Sequence, residues 1–231
     1  MIRRSNLNRS AKGEAFATLA ADRAAALSLT PVSRETLARL DRFVEVFLAW
    51  QRTTNLVAPS TIPQLWTRHI ADSLQLLPLA PDARTWIDFG TGGGFPGLVI
   101  ACALASQPGT SVQLVEANAK KAAFLREAQR VTEAPARVHG ERMEEFAKHF
   151  AGEMDVVCAR AVSPLKSLLG LTFPLLQSGA VGLFPKGKNA EDELREASIY
   201  WKMNATLVVS RTDPAGRIIV IRDLEQGRAL P

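Results

Sequence analysis

The stretch Asp88–Gly97 reads DFGTGGGFPG and holds five of the fifteen glycines of the chain. It follows the apolar segment RTWIDF and precedes the apolar run LVIACALAS. A strand, a glycine-rich turn and a helix in this order form a βα unit, in which bare backbone turns tightly and lets a ligand approach. The N-terminus of the helix offers unpaired N–H groups that suit a phosphate or a carboxylate. The stretch therefore predicts a ligand site at the end of a strand.

The glycine spacing distinguishes between two nucleotide cofactors. Gly90, Gly92 and Gly94 give D-x-G-x-G-x-G, whereas the third glycine of the dinucleotide pattern G-x-G-x-x-G would fall on Phe95. The next apolar segment, SVQLVEA, ends in Glu116, about 20 residues past the loop, where a carboxylate accepts hydrogen bonds from ribose hydroxyls. The pattern predicts an adenosine-containing cofactor and favours S-adenosylmethionine over NAD. Alternatively, Glu116 caps the following helix and the glycines serve only the turn.

Seven apolar segments after residue 80 predict strands. They are RTWIDF, SVQLVEA, ARVHG, MDVVCAR, GAVGLFP, ATLVVS and RIIVIRD. Helical segments separate most of them, which predicts right-handed crossovers and a mainly parallel sheet. Only RTDPAG separates the last two, which predicts an antiparallel hairpin at the edge of the sheet. The expected fold class is α/β, with a Rossmann-like, seven-stranded sheet.

The first 80 residues are predicted to be helical. Apolar residues recur at helical spacing from Ser33 to about Trp50, and Ser33 is placed as the N-cap. A second helical stretch runs from about Ile62 to Leu77 and ends before Pro78. The expected organisation is a basic arm and helix (1–32), a helical subdomain (33–80) and a Rossmann-like domain (81–231).

Composition indicates a globular protein with a basic N-terminal arm. The 231 residues are 47% hydrophobic, enough to bury a sizeable core. Four of the five net positive charges come from Arg3, Arg4, Arg9 and Lys12, before the first acid at Glu14. Such an arm can contact nucleic-acid phosphates or can be a solvated terminus, and charge alone leaves both open.

Neither a membrane span nor a secretory signal is expected. Asp88 and the glycines interrupt the longest apolar run, so no segment reaches the roughly 20 apolar residues of a span. Glu14 and Asp22 interrupt the region where a signal peptide is apolar, and the basic leader MIRRSNLNRSAK is short for an organelle transit peptide. We therefore expect a cytoplasmic protein.

The side chains near the predicted site narrow the choice of methyl acceptor. An exocyclic amine usually goes with an Asn/Asp-Pro-Pro-aromatic turn after the fourth strand, where this chain has ARAVSPL. A pyrimidine carbon needs a thiolate, and the apolar neighbours of the one candidate, Cys158, indicate core packing instead. A ring nitrogen such as guanine N7 needs neither a thiolate nor a base, and catalysis then depends on positioning. The spacing of Cys102, Cys158, His69, His139 and His149 predicts no metal site.

Seven collinear segments resemble the bacterial 16S ribosomal RNA guanine-N7 methyltransferases, the family first named glucose-inhibited division protein B. They are WQRTTNL (50–56), RHIADS (68–73), DFGTGGGFPG (88–97), KKAAFLRE (120–127), ERMEEF (141–146), ARAVSPL (159–165) and FPKGK (184–188). The resemblance implies a class I S-adenosylmethionine-dependent methyltransferase fold. It also implies methyl transfer to a guanine in the decoding region of 16S rRNA, as naked RNA or in the small ribosomal subunit. We expect a monomer without a metal.

The resemblance further implies roles for single residues. Gly90 and Phe95 would line the cofactor loop, and Met143 with Glu144 would lie beside the adenine. Arg160, the candidate catalytic residue, would face the mouth of the active site. There its guanidinium could pair with the methionine carboxylate of the cofactor or with an RNA phosphate, or form an ordinary salt bridge.

Four more residues are candidates for the neighbourhood of the site, and Arg68 and Lys186 are the RNA-binding candidates among them. Arg68, His69 and Asp72 share one helix face that the resemblance places near the cofactor, although His69 taken alone is typical of a packed histidine. Lys186 follows the fifth strand on the ligand side of the sheet, where it either contacts RNA or is solvated. The competing hypotheses are a methyltransferase for another RNA or protein acceptor, an NAD-dependent oxidoreductase, and a non-catalytic ribosome-binding module.

Overall fold

The helical N-terminal region begins with residues 17–29 (α1) and continues with α2 (Arg34–Gln51). The computed structural model describes residues 17–227, so the predicted basic arm, with Arg3, Arg4, Arg9 and Lys12, lies outside the described residues. The Ser33 hydroxyl accepts a hydrogen bond from the Thr36 N–H at 3.1 Å. The predicted N-cap is thus confirmed, and such a cap stabilises a helix by about 1 kcal/mol.

The second predicted helix is helical but not regular. It consists of a 3₁₀ turn (Pro59–Gln64), a π-helical turn (Trp66–Ala71), α3 (Asp72–Leu74) and a second 3₁₀ turn (Leu77–Leu79). Pro63 lacks the N–H that a regular helix needs. The Asp22 carboxylate accepts the N–H groups of Trp66 at 2.7 Å and Thr67 at 3.3 Å, which fixes the start of the π turn. The predicted helical stretch is therefore present, as a series of short 3₁₀, π and α turns.

The seven predicted strands form one sheet in the order β3-β2-β1-β4-β5-β7-β6. They are β1 (Thr85–Phe89), β2 (Ser111–Val115), β3 (Ala136–His139), β4 (Val156–Ala159), β5 (Val181–Lys186), β6 (Trp201–Val209) and β7 (Arg217–Gln226). The pairs among β1 to β5 are parallel, and β7 is antiparallel to both β5 and β6. The mainly parallel sheet and its terminal hairpin are confirmed. The strand order reverses at β1 and β4, where sheets of this type bind ligands at their carboxyl edge.

Helices cover both faces of the sheet. They are α4 (Gly97–Leu104), α5 (Ala119–Thr132), α6 (Met143–His149), α7 (Leu165–Gln177) and α8 (Ala190–Ala197). One hydrophobic core includes side chains of α2, α4 and α5, and the other includes side chains of α6, α7 and α8. Within residues 17–227, no helix is both long enough and apolar enough to span a membrane.

The N-terminal helices and the sheet share the first of these cores. Phe43 and Phe47 of α2 lie with their ring centroids 5.5 to 6.3 Å from those of Phe95 and Phe124. All four rings are at most 3% exposed, and burying one such side chain contributes about 1.5–3 kcal/mol. Because Phe95 belongs to the glycine-rich loop, α2 supports that loop from behind.

Candidate functional site

The loop between β1 and α4 leaves bare backbone where a ligand can approach. Gly90 and Gly92 have φ angles of +68° and +57°, a left-handed conformation that side chains rarely adopt. A Cβ at Gly92 would meet only the Gly90 carbonyl oxygen, at 3.8 Å, so the space beside Gly92 is open. A Cβ at Gly90 would lie 2.7 Å from Cγ2 of Val162. The segment after β4 therefore covers Gly90 and leaves Gly92 accessible.

The other two loop residues predicted for the cofactor face the protein interior. A Cβ at Gly94 would lie 3.1 Å from Cβ of Leu98 and 3.3 Å from Cζ of Phe43. The Phe95 ring is 3% exposed and belongs to the aromatic cluster. Gly94 thus allows close packing of the loop on α2. Because its ring is buried, Phe95 would contact a cofactor only through its backbone. The assignments of Gly94 and Phe95 to the cofactor site stay predictions.

Asp88 anchors the loop from inside the protein. Its Oδ2 accepts a hydrogen bond from the Gly97 N–H at 2.8 Å, and its side chain is fully buried. A Cβ at Gly97 would lie 2.7 Å from Cβ of Asp88, so only glycine permits this approach. Burial raises the pKa of Asp88 to about 6. Asp88 therefore shapes the turn and is too deeply buried to touch a ligand.

Glu116 follows β2 and bonds to the glycine loop. Its Oε2 accepts the Gly92 N–H at 2.9 Å and its Oε1 accepts the Asn118 N–H at 2.8 Å. The cap of α5 is Asn118, whose Oδ1 accepts the N–H groups of Lys120 and Lys121. Glu116 thus supports the start of α5 through the N–H of its cap residue, as the alternative role predicts, but the side-chain cap itself is Asn118. One carboxylate oxygen faces the loop and the other faces the start of α5, and the ribose-binding role of Glu116 stays a prediction.

Met143 and Glu144 begin α6, at the same edge of the sheet. The Glu116 N–H donates to the His139 carbonyl at 3.0 Å, which ties the end of β2 to the end of β3 just before α6. Met143 is partly buried and Glu144 is exposed. Open space at Gly92, an acidic acceptor and a partly buried apolar side chain together could hold an adenosine group. The adenine contacts of Met143 and Glu144 stay predictions.

Arg160, directly after β4, is fixed by the N-terminal region. Its Nη1 donates to the Arg68 carbonyl at 3.0 Å and to Oδ2 of Asp72 at 3.2 Å, and its Nη2 donates to Nδ1 of His69 at 2.8 Å. The guanidinium carbon lies 5.5 Å from the centroid of the Phe95 ring. The side chain is 20% exposed. Arg160 thus forms a salt bridge with Asp72, which is the alternative role predicted for it. It also borders the glycine loop.

His69 is a neutral acceptor for Arg160. Because a guanidinium only donates, we infer that Nδ1 accepts and that Nε2 carries the proton toward Oγ1 of Thr61, 3.0 Å away. Burial, aided by the charges of Arg160 and Arg68, lowers the pKa of His69 to about 3. The ring also stacks on Phe95 with centroids 4.9 Å apart. Its lone pair is occupied, so His69 does not act as a general base in this arrangement.

The low pKa of His69 predicts a pH dependence of stability. The unfolded histidine takes up a proton below its ordinary pKa of 6.5, whereas the folded one does so only near pH 3. Stability is therefore full above pH 6.5 and falls as the pH drops from 6.5 toward 3. Between pH 7 and pH 5, the free energy of unfolding should fall by about 2 kcal/mol more in the wild type than in His69→Gln, as measured by urea unfolding. Identical pH dependence in the two proteins would contradict the buried neutral state.

A cavity of about 730 Å³ opens beside Arg160, at the carboxyl ends of β4 and β5. Arg68 and Asp72 line one side, and the segment that joins β6 to β7 lines another. Val162 lines it as well and also covers Gly90, so the cavity adjoins the glycine loop. Its volume suits a nucleotide-sized group. The site thus offers bare backbone for one ligand and a neighbouring cavity for a second.

Lys186 borders this cavity. It is not solvated, so the alternative of a solvated lysine was wrong. Its Nζ donates to the Ser163 carbonyl at 2.7 Å and to Oε2 of Glu193 at 2.8 Å, and the side chain is 9% exposed. Glu193 also accepts the Leu165 N–H at 2.8 Å. The ion pair therefore clamps the segment after β4 to α8. A contact between Lys186 and RNA stays a prediction.

Lys186→Met should lower the free energy of unfolding by about 3 kcal/mol, because it leaves the partly buried Glu193 carboxylate without its cation. Arg195→Met is the matched control in α8. It removes the partner of Asp192, but both side chains of that pair are 75% exposed, so no measurable change is expected. Denaturant unfolding of both variants makes the comparison. Weaker RNA binding by Lys186→Met at unchanged stability would instead favour a direct RNA contact.

Cys158 packs in the core, as predicted from its neighbours. It is fully buried, and burial raises the pKa of its thiol well above the usual value, so no thiolate nucleophile is available there. No group of three or more His, Cys, Asp or Glu side chains is placed to hold a metal ion among residues 17–227.

Sequence reasoning missed Glu193, Gln75 and Thr212. The Thr212 hydroxyl bonds to Asp72, 140 residues away, and no local pattern marks such a pair.

Most of the chain matches a known family. The family model described as rRNA small subunit methyltransferase G matches residues 36–215. A ribosomal RNA small subunit methyltransferase G from Bradyrhizobium sp. strain BTAi1 is 58% identical over 208 residues, which cover 90% of this chain and 94% of the relative. A protein of the same name from Rhodopseudomonas palustris strain BisB18 is 56% identical over 217 residues, which cover 94% and 93%.

The fold also matches solved structures. An O-methyltransferase from Bacillus cereus in complex with SAH superposes with a TM-score of 0.58 at 16% identity, over 90% of this chain and 100% of that chain. At this identity the likeness concerns the fold alone, and it confirms the predicted class I methyltransferase architecture. The family match confirms the resemblance seen in the seven collinear segments. The chain therefore belongs to the rRNA small subunit methyltransferase G family.

Proposed function

We propose that this protein transfers a methyl group from S-adenosylmethionine to N7 of a guanine in the decoding region of 16S rRNA. It would act in the cytoplasm, as a monomer, on the RNA or on the small ribosomal subunit. The observation that carries the proposal is the 56–58% identity to relatives named as small subunit rRNA methyltransferases, over at least 90% of the chain. The choice of guanine N7 follows from the resemblance in the seven segments.

The glycine loop and Glu116 are the proposed cofactor site. Gly92 offers bare backbone, and the Glu116 carboxylate would exchange its bond to the Gly92 N–H for bonds to ribose hydroxyls. Met143 and Glu144 would lie beside the adenine. The bound cofactor supplies a methyl group on a positively charged sulfur. The protein's part is to hold that methyl group in line with the acceptor nitrogen.

The side chains at the site suit a reaction in which the protein mainly aligns the methyl group with its acceptor. Guanine N7 carries no proton, so its methylation needs no general base. The neutral, occupied His69 and the buried Cys158 agree with that requirement. Holding the reactants in line supplies up to about 7–11 kcal/mol. Arg160 would orient the carboxylate of the cofactor or an RNA phosphate, and Arg68 and Lys186, at the rim of the cavity, are the proposed RNA contacts.

Methyl transfer to a defined substrate tests the proposal. Small ribosomal subunits from cells that lack this gene are incubated with the protein and methyl-labelled S-adenosylmethionine, and borohydride–aniline cleavage then locates N7-methylguanine. A single enzyme-dependent cleavage in the decoding region is expected. Labelled RNA without cleavage would overturn guanine N7, and label on protein alone would overturn the RNA acceptor. Calorimetric binding of NAD in place of S-adenosylmethionine would overturn methyl transfer itself.

A further inference from the structure

The connection between β6 and β7 reaches across the sheet edge to the N-terminal region. The Thr212 hydroxyl in this connection donates to Oδ1 of Asp72 at 2.7 Å. Gln75 Nε2 donates to the same oxygen at 2.7 Å. The other oxygen, Oδ2, accepts from Nη1 of Arg160 at 3.2 Å. One carboxylate thus joins the hairpin to the arginine of the site.

Gln75 fixes how the hairpin lies against Asp72. Its side chain is 4% exposed. Its Oε1 accepts the Arg211 N–H at 2.8 Å while its Nε2 donates to Asp72. Ser210 Oγ accepts the Thr212 N–H at 3.2 Å, which holds the turn that presents the Thr212 hydroxyl. A buried polar group with both ends bonded permits one arrangement of its neighbours.

The orientation of Asp72 depends on these donors. The last torsion of an aspartate is broad and roughly two-fold, so the carboxylate alone does not specify which oxygen faces a partner. Thr212 and Gln75 both hold Oδ1 and leave Oδ2 for Arg160. Asp72 is 16% exposed and Arg160 is 20% exposed, so water screens their attraction only partly.

We propose that Thr212 and Gln75 are positioning residues for methyl transfer, which orient Asp72 so that Arg160 is held between the glycine loop and the cavity. They act through Asp72 and Arg160 rather than on the reacting atoms. The kinetic test of this inference rests on the proposed function. Thr212 also lines the cavity, so the test must separate an action through Asp72 from a direct contact with the substrate.

Single-turnover methyl transfer to small ribosomal subunits makes that separation. Thr212→Val removes the hydroxyl at nearly constant shape and should slow transfer about tenfold, whereas Thr212→Ser should stay within about twofold of the wild type. Thr206→Val, the same change at an exposed position of β6, should keep the wild-type rate. In an Asp72→Ala background, Thr212→Val should cause no further loss. A wild-type rate for Thr212→Val, or a further tenfold loss in that background, would overturn the inference.

A second measurement needs neither RNA nor cofactor. Nitrogen NMR of labelled arginine side chains, with the Arg160 signals identified by their loss in Arg160→Lys, reports how fast the guanidinium rotates. The wild type and Thr206→Val should show slow rotation with separate Nη signals, and Thr212→Val should show faster rotation. Unchanged Arg160 signals in Thr212→Val would overturn the inference. If the wild type transfers no methyl group to small subunits, the proposed function fails, and this comparison still decides whether Thr212 holds Arg160 in place through Asp72.

Discussion

Arg160→Ala is expected to lower the single-turnover rate of methyl transfer about a thousandfold. Three hydrogen-bond acceptors and the Phe95 ring hold the guanidinium at one place beside the cavity. Losing a fixed hydrogen-bond donor to a reacting complex costs about 10²–10³ in rate. Rapid-quench transfer of labelled methyl to small subunits measures the rate.

Two further variants separate the charge of Arg160 from its geometry and control for the loss of an arginine elsewhere. Arg160→Lys keeps the charge but loses the planar fork, so it should fall between the alanine variant and the wild type. Arg195→Ala removes an arginine that is 75% exposed on α8 and should have no effect. Circular dichroism checks that each protein is folded, because Arg160→Ala leaves the Asp72 carboxylate without its cation. A wild-type rate for Arg160→Ala would remove Arg160 from the site.

Gly92→Leu is expected to weaken S-adenosylmethionine binding at least about 100-fold in calorimetric titration and to abolish transfer. The left-handed backbone of Gly92, with φ +57°, directs any side chain into the open space where the cofactor is proposed to lie. A leucine there would fill that space. It would also pay the backbone strain of about 1–2 kcal/mol that an L residue meets in this conformation.

Gly109→Leu separates the backbone strain from the filling of the proposed cofactor space. Gly109 has φ +76° and no heavy atom within 4 Å of its would-be Cβ, and it lies between α4 and β2. The two variants should therefore lose similar stability, and only Gly92→Leu should lose the cofactor. Equal loss of binding in both would assign the effect to strain. Unchanged binding by Gly92→Leu would mean that the cofactor lies elsewhere.

Features that depend on near neighbours in the chain could be predicted from the sequence. The Ser33 cap bonds to a backbone group three residues away. The strands follow from apolar runs and the spacing between them, and the position of Glu116 follows from the βαβ unit that begins at the glycine loop. In these cases the geometry depends on residues that are close in the chain or that are joined by a single βαβ crossover.

The parts that were missed or wrong depend on distant partners. The π turn at Trp66 is held by Asp22, 44 residues earlier, which a helical period does not reveal. Lys186 was expected to be solvated or to contact RNA because a strand end on the ligand side is usually open. Its burial requires Glu193 and the Ser163 carbonyl to meet it there. Arg160 lies beside the cavity, but its partner Asp72 is 88 residues away in the chain, and its catalytic role stays a prediction.

The aromatic cluster between α2 and the glycine loop has a consequence for biosynthesis. Phe47 is synthesised well before Phe95 and Phe124, the rings that bury it. At about 5–20 residues per second, a ribosome needs roughly 4 to 15 seconds to travel from Phe47 to Phe124. During that interval the nascent chain carries an amphipathic helix whose aromatic face has no sheet to cover it. The helical region can therefore reach its final packing only after α5 has left the ribosome.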